Sequence, residues 1–268
     1  MQIPTCLHAG VAATGIAVAG IAAMGVASAA PVPQSPSAVA PAVVPPGGLI
    51  TTFVHNQIVY CSIICPLMVQ TGETAVTTTA QAPGTYRAAL RSGDQDKAMG
   101  VTAASITGPT NVAAEKAILA DGTEVAPRAL NAFEVGVVGL LDVGPAAAGG
   151  PPAIAAALQT ARQDTYTAMN RPIVPNPTPT VEPHGVGQVA VVGAINIGAS
   201  VVFPAFNDVL SGAFEAPDAA ARTLATTGDP ARAAAAAADT ATGVHTAADA
   251  VISQAVTTAV DNLRAANG

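Results

Sequence analysis

A long run without Asp, Glu, Lys or Arg at residues 185–207, GVGQVAVVGAINIGASVVFPAFN, most constrains how this chain can fold. Ala190, Ala194 and Gly198 recur at every fourth residue, so a helix would align them in one helix-packing stripe of small side chains. We expect a buried core helix that is broken near Pro204. A helix embedded in or associated with a membrane is the alternative, because the run exceeds the ~20 residues that cross a bilayer.

The apolar content of the chain consists mainly of Ala and Val. Of the 268 residues, 50% are hydrophobic but only 3% are aromatic, and Trp is absent. Since Ala buries little area, we expect a modest core and close contacts between helices. The net charge is −7, and no basic cluster interrupts the sequence. This charge argues against nucleic-acid binding, which requires concentrated positive charge, and offers no attraction to anionic lipid head groups.

The first 29 residues have the pattern of an export signal. An uncharged apolar run ends at Ala27-Ser28-Ala29, which predicts cleavage after Ala29. The segment before that run lacks Lys and Arg, so an uncleaved membrane anchor is the alternative. Cys6 precedes the apolar run, which argues against a lipoprotein. We therefore expect an exported protein, either extracellular or on the periplasmic side of the cell envelope.

Two Pro-rich segments divide the remainder of the chain, because a helix does not cross such segments. The predicted divisions are a linker at 30–48, an apolar Cys-containing block at 49–84, a helical segment at 85–171, a second linker at 172–184, and a C-terminal helical segment at 185–268 that packs against 85–171. The block at 49–84 is rich in Ile, Val and Thr, which favours strands. The fold class we predict is mainly α, a Gly/Ala/Val-rich helical bundle with a small N-terminal block containing strands.

Apolar periodicity and end signals predict the individual helices. They cover residues 86–91, 94–104, 110–120, 127–141 and 153–170, and after the central run residues 218–226, 229–242 and 245–266.

Cys61 and Cys65 are the cysteines that remain if the signal is removed. An even pair in an exported chain favours a disulfide, although this spacing suits a turn better than regular structure. Two buried free thiols, or a redox or metal-binding pair, are the alternatives. His55 could join the two thiolates on zinc, but no fourth ligand lies nearby in the sequence.

Other motifs do not predict catalysis. Gly185, Gly187 and Ala190 match a loose dinucleotide fingerprint and Asp208 follows at a fitting distance, but the required strand is replaced by a Pro-rich segment. The sequence around Ser200 lacks the second Gly of a nucleophile elbow. We therefore predict no catalytic, cofactor-binding or metal-binding residues, no cofactor, and no enzymatic activity.

The blocks FVHNQIVYCSIICPLMVQTG (residues 53–72) and RPIVPNPTPTVEP (residues 171–183) resemble the Ala/Pro-rich exported proteins of unknown function from mycobacteria and related actinobacteria. This resemblance implies export to the cell envelope and brings no catalytic residues. The chain lacks the Pro-Glu opening of PE and PPE proteins. We expect a non-enzymatic structural or interaction protein of the envelope, with another envelope protein or membrane lipid as its partner. The alternative is a periplasmic carrier that binds an apolar or lipid ligand between its helices.

Overall fold

The computed structural model describes residues 43–268, and all regular structure in this part of the chain is helical. The helices are α1 (Gly48–Ala89), α2 (Gln95–Ala120), α3 (Ala126–Leu141), α4 (Val143–Ala146), α5 (Pro151–Met169), α6 (Gly185–Ser200), α7 (Phe206–Thr227) and α8 (Pro230–Asn267). π-Helical turns at Asp121–Val125 and Val201–Ala205 connect α2 to α3 and α6 to α7. Short 3₁₀ turns lie at Leu90–Ser92 and Ala147–Gly149. The predicted signal, Cys6 and most of the first Pro-rich linker lie outside the described residues.

The prediction of a mainly α protein is confirmed, whereas the prediction of strands at residues 49–84 is wrong. The whole block lies within α1. The Thr residues among its β-branched side chains bond through their hydroxyls to the carbonyl one turn earlier. Thr71 donates to the Leu67 carbonyl at 2.9 Å, and Thr78 donates to the Thr74 carbonyl at 2.8 Å. These bonds satisfy the hydroxyls inside the helix and remove one reason for Thr to favour strands.

The described residues form two compact units. The first unit contains residues 59–122 and 199–255, and the second contains residues 43–58, 123–198 and 256–268.

In the first unit, α2 packs against α7 with the two backbones in direct contact. A Cβ atom placed on Gly100 would lie 2.1 Å from the backbone nitrogen of Ala225. Further along, the Thr107 hydroxyl donates to Asp218 Oδ1 at 2.9 Å. Ala216 of α7 and Val244 of α8 form a small buried apolar cluster beside this contact. The small side chains of this sequence are therefore used for close approach between helices.

Three helix breaks predicted in this unit are absent. Pro109 lies inside α2, Pro217 lies inside α7, and α8 continues through Gly243. Gly108 faces the side chains of Asp218 and Arg222 across the α2–α7 contact. Packing between the two helices therefore outweighs the local preference of Gly-Pro and Ala-Pro to end a helix.

In the second unit, α3 packs against α5 through small residues. A Cβ atom on Gly139 would lie 2.8 Å from that of Ala161, so only Gly allows this distance. Ala132, Ala168 and Met169 form the buried apolar cluster of this unit, with Leu49 of α1 packed against it. Helix α8 approaches α6 closely at Gly193. A Cβ atom placed on Gly193 would lie 3.0 Å from the Cβ atom of Ala259.

Glycines with positive φ and acidic caps form two of the turns. Gly93, with φ of 81°, ends the segment after α1, and the Asp94 carboxylate then accepts the Lys97 N–H at 2.9 Å to start α2. Gly228, with φ of 68°, ends α7, and Asp229 accepts the Ala231 N–H at 2.9 Å to start α8. Both turns combine a left-handed glycine with an N-cap, which reverses the chain in a few residues.

The second Pro-rich segment contains no helix between Met169 and Gly185. It is held against the start of α3 by hydrogen bonds. The Thr180 N–H donates to Asn131 Oδ1 at 2.6 Å, and the Asn176 N–H donates to the Thr123 carbonyl at 2.7 Å. These bonds fix the path of the segment within the second unit.

Candidate functional site

In the second unit, α1 exposes its large apolar side chains and buries polar ones. Ile50 is 72% exposed and Phe53 is 58% exposed, whereas Thr52 and Asn56 are 8% and 7% exposed. Ile50, Val54 and Ile58 are four residues apart and therefore share one outward face. A helix on a water-soluble core would have the opposite arrangement.

In the first unit, the continuation of α1 also exposes large apolar side chains. Met68, Val69 and Val76 are all exposed, and they lie on the same face of the helix as Cys61 and Cys65. The segment Gly48–Gly72 contains no Asp, Glu, Lys or Arg.

Helix α3 has the same arrangement. Arg128, Asn131 and Glu134, spaced three residues apart, are buried, while Phe133 and Leu140 are exposed. Helix α3 therefore buries these polar residues and exposes its larger apolar ones, although it also buries Ala132 and Val138.

The segment that leads from the second π-helical turn into α7 repeats the pattern in the first unit. Val201, Val202 and Phe206 are exposed, whereas Ser211 and Glu215 are buried. The large exposed apolar side chains of both units are thus a general property of these helices.

The predicted helix-packing stripe lies on the exposed side of α6. Ala190, Ala194 and Gly198 are all exposed, and a Cβ added to Gly198 would meet no atom within 4 Å. The close helix contact of α6 occurs at Gly193, which is buried opposite Ala259 of α8. Within the described chain, a neighbouring face of α6 therefore makes the contact that we expected from this stripe.

The buried residues of α3 form two polar contacts. Arg128 donates from Nε to the Arg171 carbonyl at 2.8 Å and from Nη2 to the Met169 carbonyl. These carbonyls lie at the end of α5, where the helix dipole favours a cation. Asn56 of α1 donates to the same Met169 carbonyl at 2.8 Å, so Arg128 and Asn56 together hold this end.

Glu134 is the second buried polar group on α3. It is 3% exposed, the Asn196 side chain of α6 hydrogen-bonds its carboxyl group, and its Oε1 atom has no hydrogen-bond partner. Two turns further along α3, Asp142 accepts a hydrogen bond from Gln188 of α6. These two polar contacts fix how α3 and α6 align, because a shift of either helix would break both.

Sequence reasoning did not identify Arg128 or Glu134. Their spacing with Asn131 was a detectable signal, because polar residues at every third position share one helix face.

Cys61 and Cys65 lie at disulfide distance inside α1, with Cα atoms 5.2 Å apart. We expected a turn at this spacing, and this detail is wrong because both residues are in regular helix. His55 is exposed on the same helix. Among the residues that the structure describes, no three His, Cys, Asp or Glu side chains are grouped to hold a metal ion.

The other motifs take the following places. Gly185 begins α6 directly after the Pro-rich segment, and Asp208 lies in the first turn of α7. Ser200 is buried at the end of α6.

Three helical stretches are long and apolar enough to cross a membrane. They are Gly48–Ser92, Gln95–Gly149 and Gly185–Thr227, with mean hydropathies of 1.4, 1.3 and 2.0 in their most apolar windows. No more than 22% of any of these windows is buried within the structure.

No protein-family model matches the chain, and no curated protein or solved structure is significantly similar to it. The resemblance to actinobacterial exported proteins therefore stays a prediction.

Proposed function

We propose that this protein is a non-enzymatic component of the cell envelope, embedded in a lipid bilayer through the outward apolar faces of α1, α3, α6 and α7. One observation carries the proposal. These helices and the π-helical turn before α7 expose residues such as Ile50 and Val202, while the helices bury Asn56, Arg128 and Glu134. Apolar residues that face outward and polar residues that face other helices are characteristic of helices surrounded by lipid.

The uncharged runs support the same proposal. Residues 48–72 of α1 and residues 185–207 each exceed the ~20 helical residues needed to cross the apolar part of a bilayer. The exposed small side chains Ala190, Ala194 and Gly198 then offer a smooth surface to lipid or to another membrane helix.

Helix α8 has a different character. It carries Arg232, Asp239, Asp249, Asp261 and Arg264, which are all exposed. We propose that α8 contacts water, since exposed charges are costly in hydrocarbon.

Export is the second part of the proposal and rests on sequence. The Ala27-Ser28-Ala29 pattern after an apolar run supports entry into the export pathway, whether the signal is cleaved or kept as an anchor. The proposal of a non-enzymatic role rests on the absence of a recognisable nucleophile, phosphate loop or metal motif from the sequence. The carrier of an apolar ligand stays a prediction.

The proposal is tested by fractionating cells that express the full chain. We expect the protein in the membrane pellet after washes with high salt and with alkaline carbonate, and in solution only after detergent is added. An inner-membrane protein with known crossings and a peripheral protein serve as controls. A protein that leaves the pellet in carbonate and remains monodisperse without detergent would contradict the proposal.

A further inference from the structure

Pro66 lies in the interior of α1. It has no N–H, so the carbonyl of Ser62 loses its partner in the helix, and the proline ring crowds the same carbonyl. An interior proline of this kind weakens one turn and normally kinks or breaks the helix.

The two cysteines lie on the turn that Pro66 weakens. Cys65 directly precedes Pro66, and Cys61 lies one turn earlier. Their Cα separation of 5.2 Å is within the range that a disulfide allows. A bond between them would span the same turn whose hydrogen bond is missing at Ser62.

We propose that a Cys61–Cys65 disulfide acts as a redox-sensitive staple that holds the Pro66 turn of α1 in helical form. A dithiol can open it by thiol–disulfide exchange. One thiolate of the dithiol attacks one cysteine sulfur and releases the other cysteine as a thiolate, which leaves a mixed disulfide. The second thiolate then attacks the dithiol's own sulfur in that mixed disulfide and releases the first cysteine, and the products are two cysteine thiols and an oxidised cyclic dithiol. Opening the bond removes the constraint from the turn that Pro66 has already weakened. The staple rests on the geometry of α1, but its opening requires a dithiol that reaches residues 61–65 within the uncharged run 48–72.

The test uses the full chain purified in detergent, compared before and after reduction with dithiothreitol. Intact mass establishes the bond, because the oxidised protein is about 2 Da lighter than the reduced one. Hydrogen exchange then measures the turn. We expect amides in residues 62–70 to exchange about tenfold faster after reduction. The free energy that corresponds to this factor is within the stabilisation expected from a disulfide that closes a short loop. Peptides from α8 serve as the internal reference and should not change.

The variant Pro66→Ala tests whether the effect of reduction depends on the proline. Alanine restores the N–H to Ser62, so reduction of this variant should change exchange in residues 62–70 less than about twofold. Cys61→Ser/Cys65→Ser in the otherwise unchanged chain should resemble the reduced protein. The proposal is overturned by free thiols in the protein as isolated from its native compartment. It is also overturned by equal effects of reduction with and without Pro66, or by faster exchange in α8 together with α1.

Discussion

Replacing two exposed valines with aspartate tests whether the outward apolar face contacts lipid. Val201 and Val202 are 48% and 61% exposed and lie in the most apolar of the three long stretches. If lipid surrounds them, each Asp costs ~2.5–3.5 kcal/mol near the centre of a membrane helix, so Val201→Asp/Val202→Asp costs ~5–7 kcal/mol. If water surrounds them, surface substitutions of this kind cost less than about 1 kcal/mol in total.

The matched control adds the same charge elsewhere in the same unit. Thr242 and Thr246 are both exposed on α8, which we propose contacts water. Thr242→Asp/Thr246→Asp should leave the distribution of the protein unchanged. The assay is the fraction of protein that resists alkaline carbonate extraction, with helical content by circular dichroism as a check on folding.

We expect the valine variant to lose most of its carbonate-resistant fraction, because ~5–7 kcal/mol exceeds a thousandfold change in partitioning. The control should remain in the pellet like the unsubstituted chain. The reasoning is refuted if the valine variant stays folded in the membrane to the same extent as the control.

Four further substitutions test the packing and the buried polar residues by chemical or thermal unfolding. Gly100→Ala should destabilise the protein by ~1–3 kcal/mol because the new Cβ would lie 2.1 Å from the Ala225 backbone nitrogen. Gly72→Ala is the matched control. Since a Cβ there would meet no atom within 4 Å, this variant should stabilise the protein by ~0.5–1 kcal/mol. Equal effects of the two would contradict the α2–α7 contact. Arg128→Met should lower the free energy of unfolding by ~2–4 kcal/mol because two carbonyls at the end of α5 lose a charged donor. Unchanged stability would show that Arg128 does not hold this end of α5. Glu134→Gln should raise stability at pH 8 by about 1 kcal/mol because it removes a buried charge whose Oε1 has no partner, and a loss of stability would show that the charge is needed.

Several helices could be predicted from local signals alone. Residues 127–141 and 153–170 were expected as helices, and the structure contains α3 at Ala126–Leu141 and α5 at Pro151–Met169. In both cases a proline at the start and a glycine or asparagine near the end mark the limits. Such signals act through the backbone of a few residues and need no knowledge of neighbouring helices.

The same signals were misleading where two helices touch. Gly108-Pro109 lies in the gap between the helices predicted at 94–104 and 110–120, and Ala216-Pro217 precedes the helix predicted at 218–226. Both pairs lie within continuous helices of the α2–α7 contact. The strand-like composition of residues 49–84 was also overridden, and that segment is helical. In the α2–α7 contact, the ~3 kcal/mol cost of a proline inside a helix is outweighed by the packing of the two helices.

Composition and periodicity predict a mainly helical chain that is uncharged along much of residues 48–72 and 185–207 and suited to close contacts between small residues. Which face of each helix points inward became clear from the packing of the helices. Periodicity groups Ala190 with Gly198 and Arg128 with Glu134, but it does not say which group meets a neighbouring helix. That choice depends on where a second backbone fits, and here it buried Gly193 and Glu134 and left Ile50 and Val202 outside.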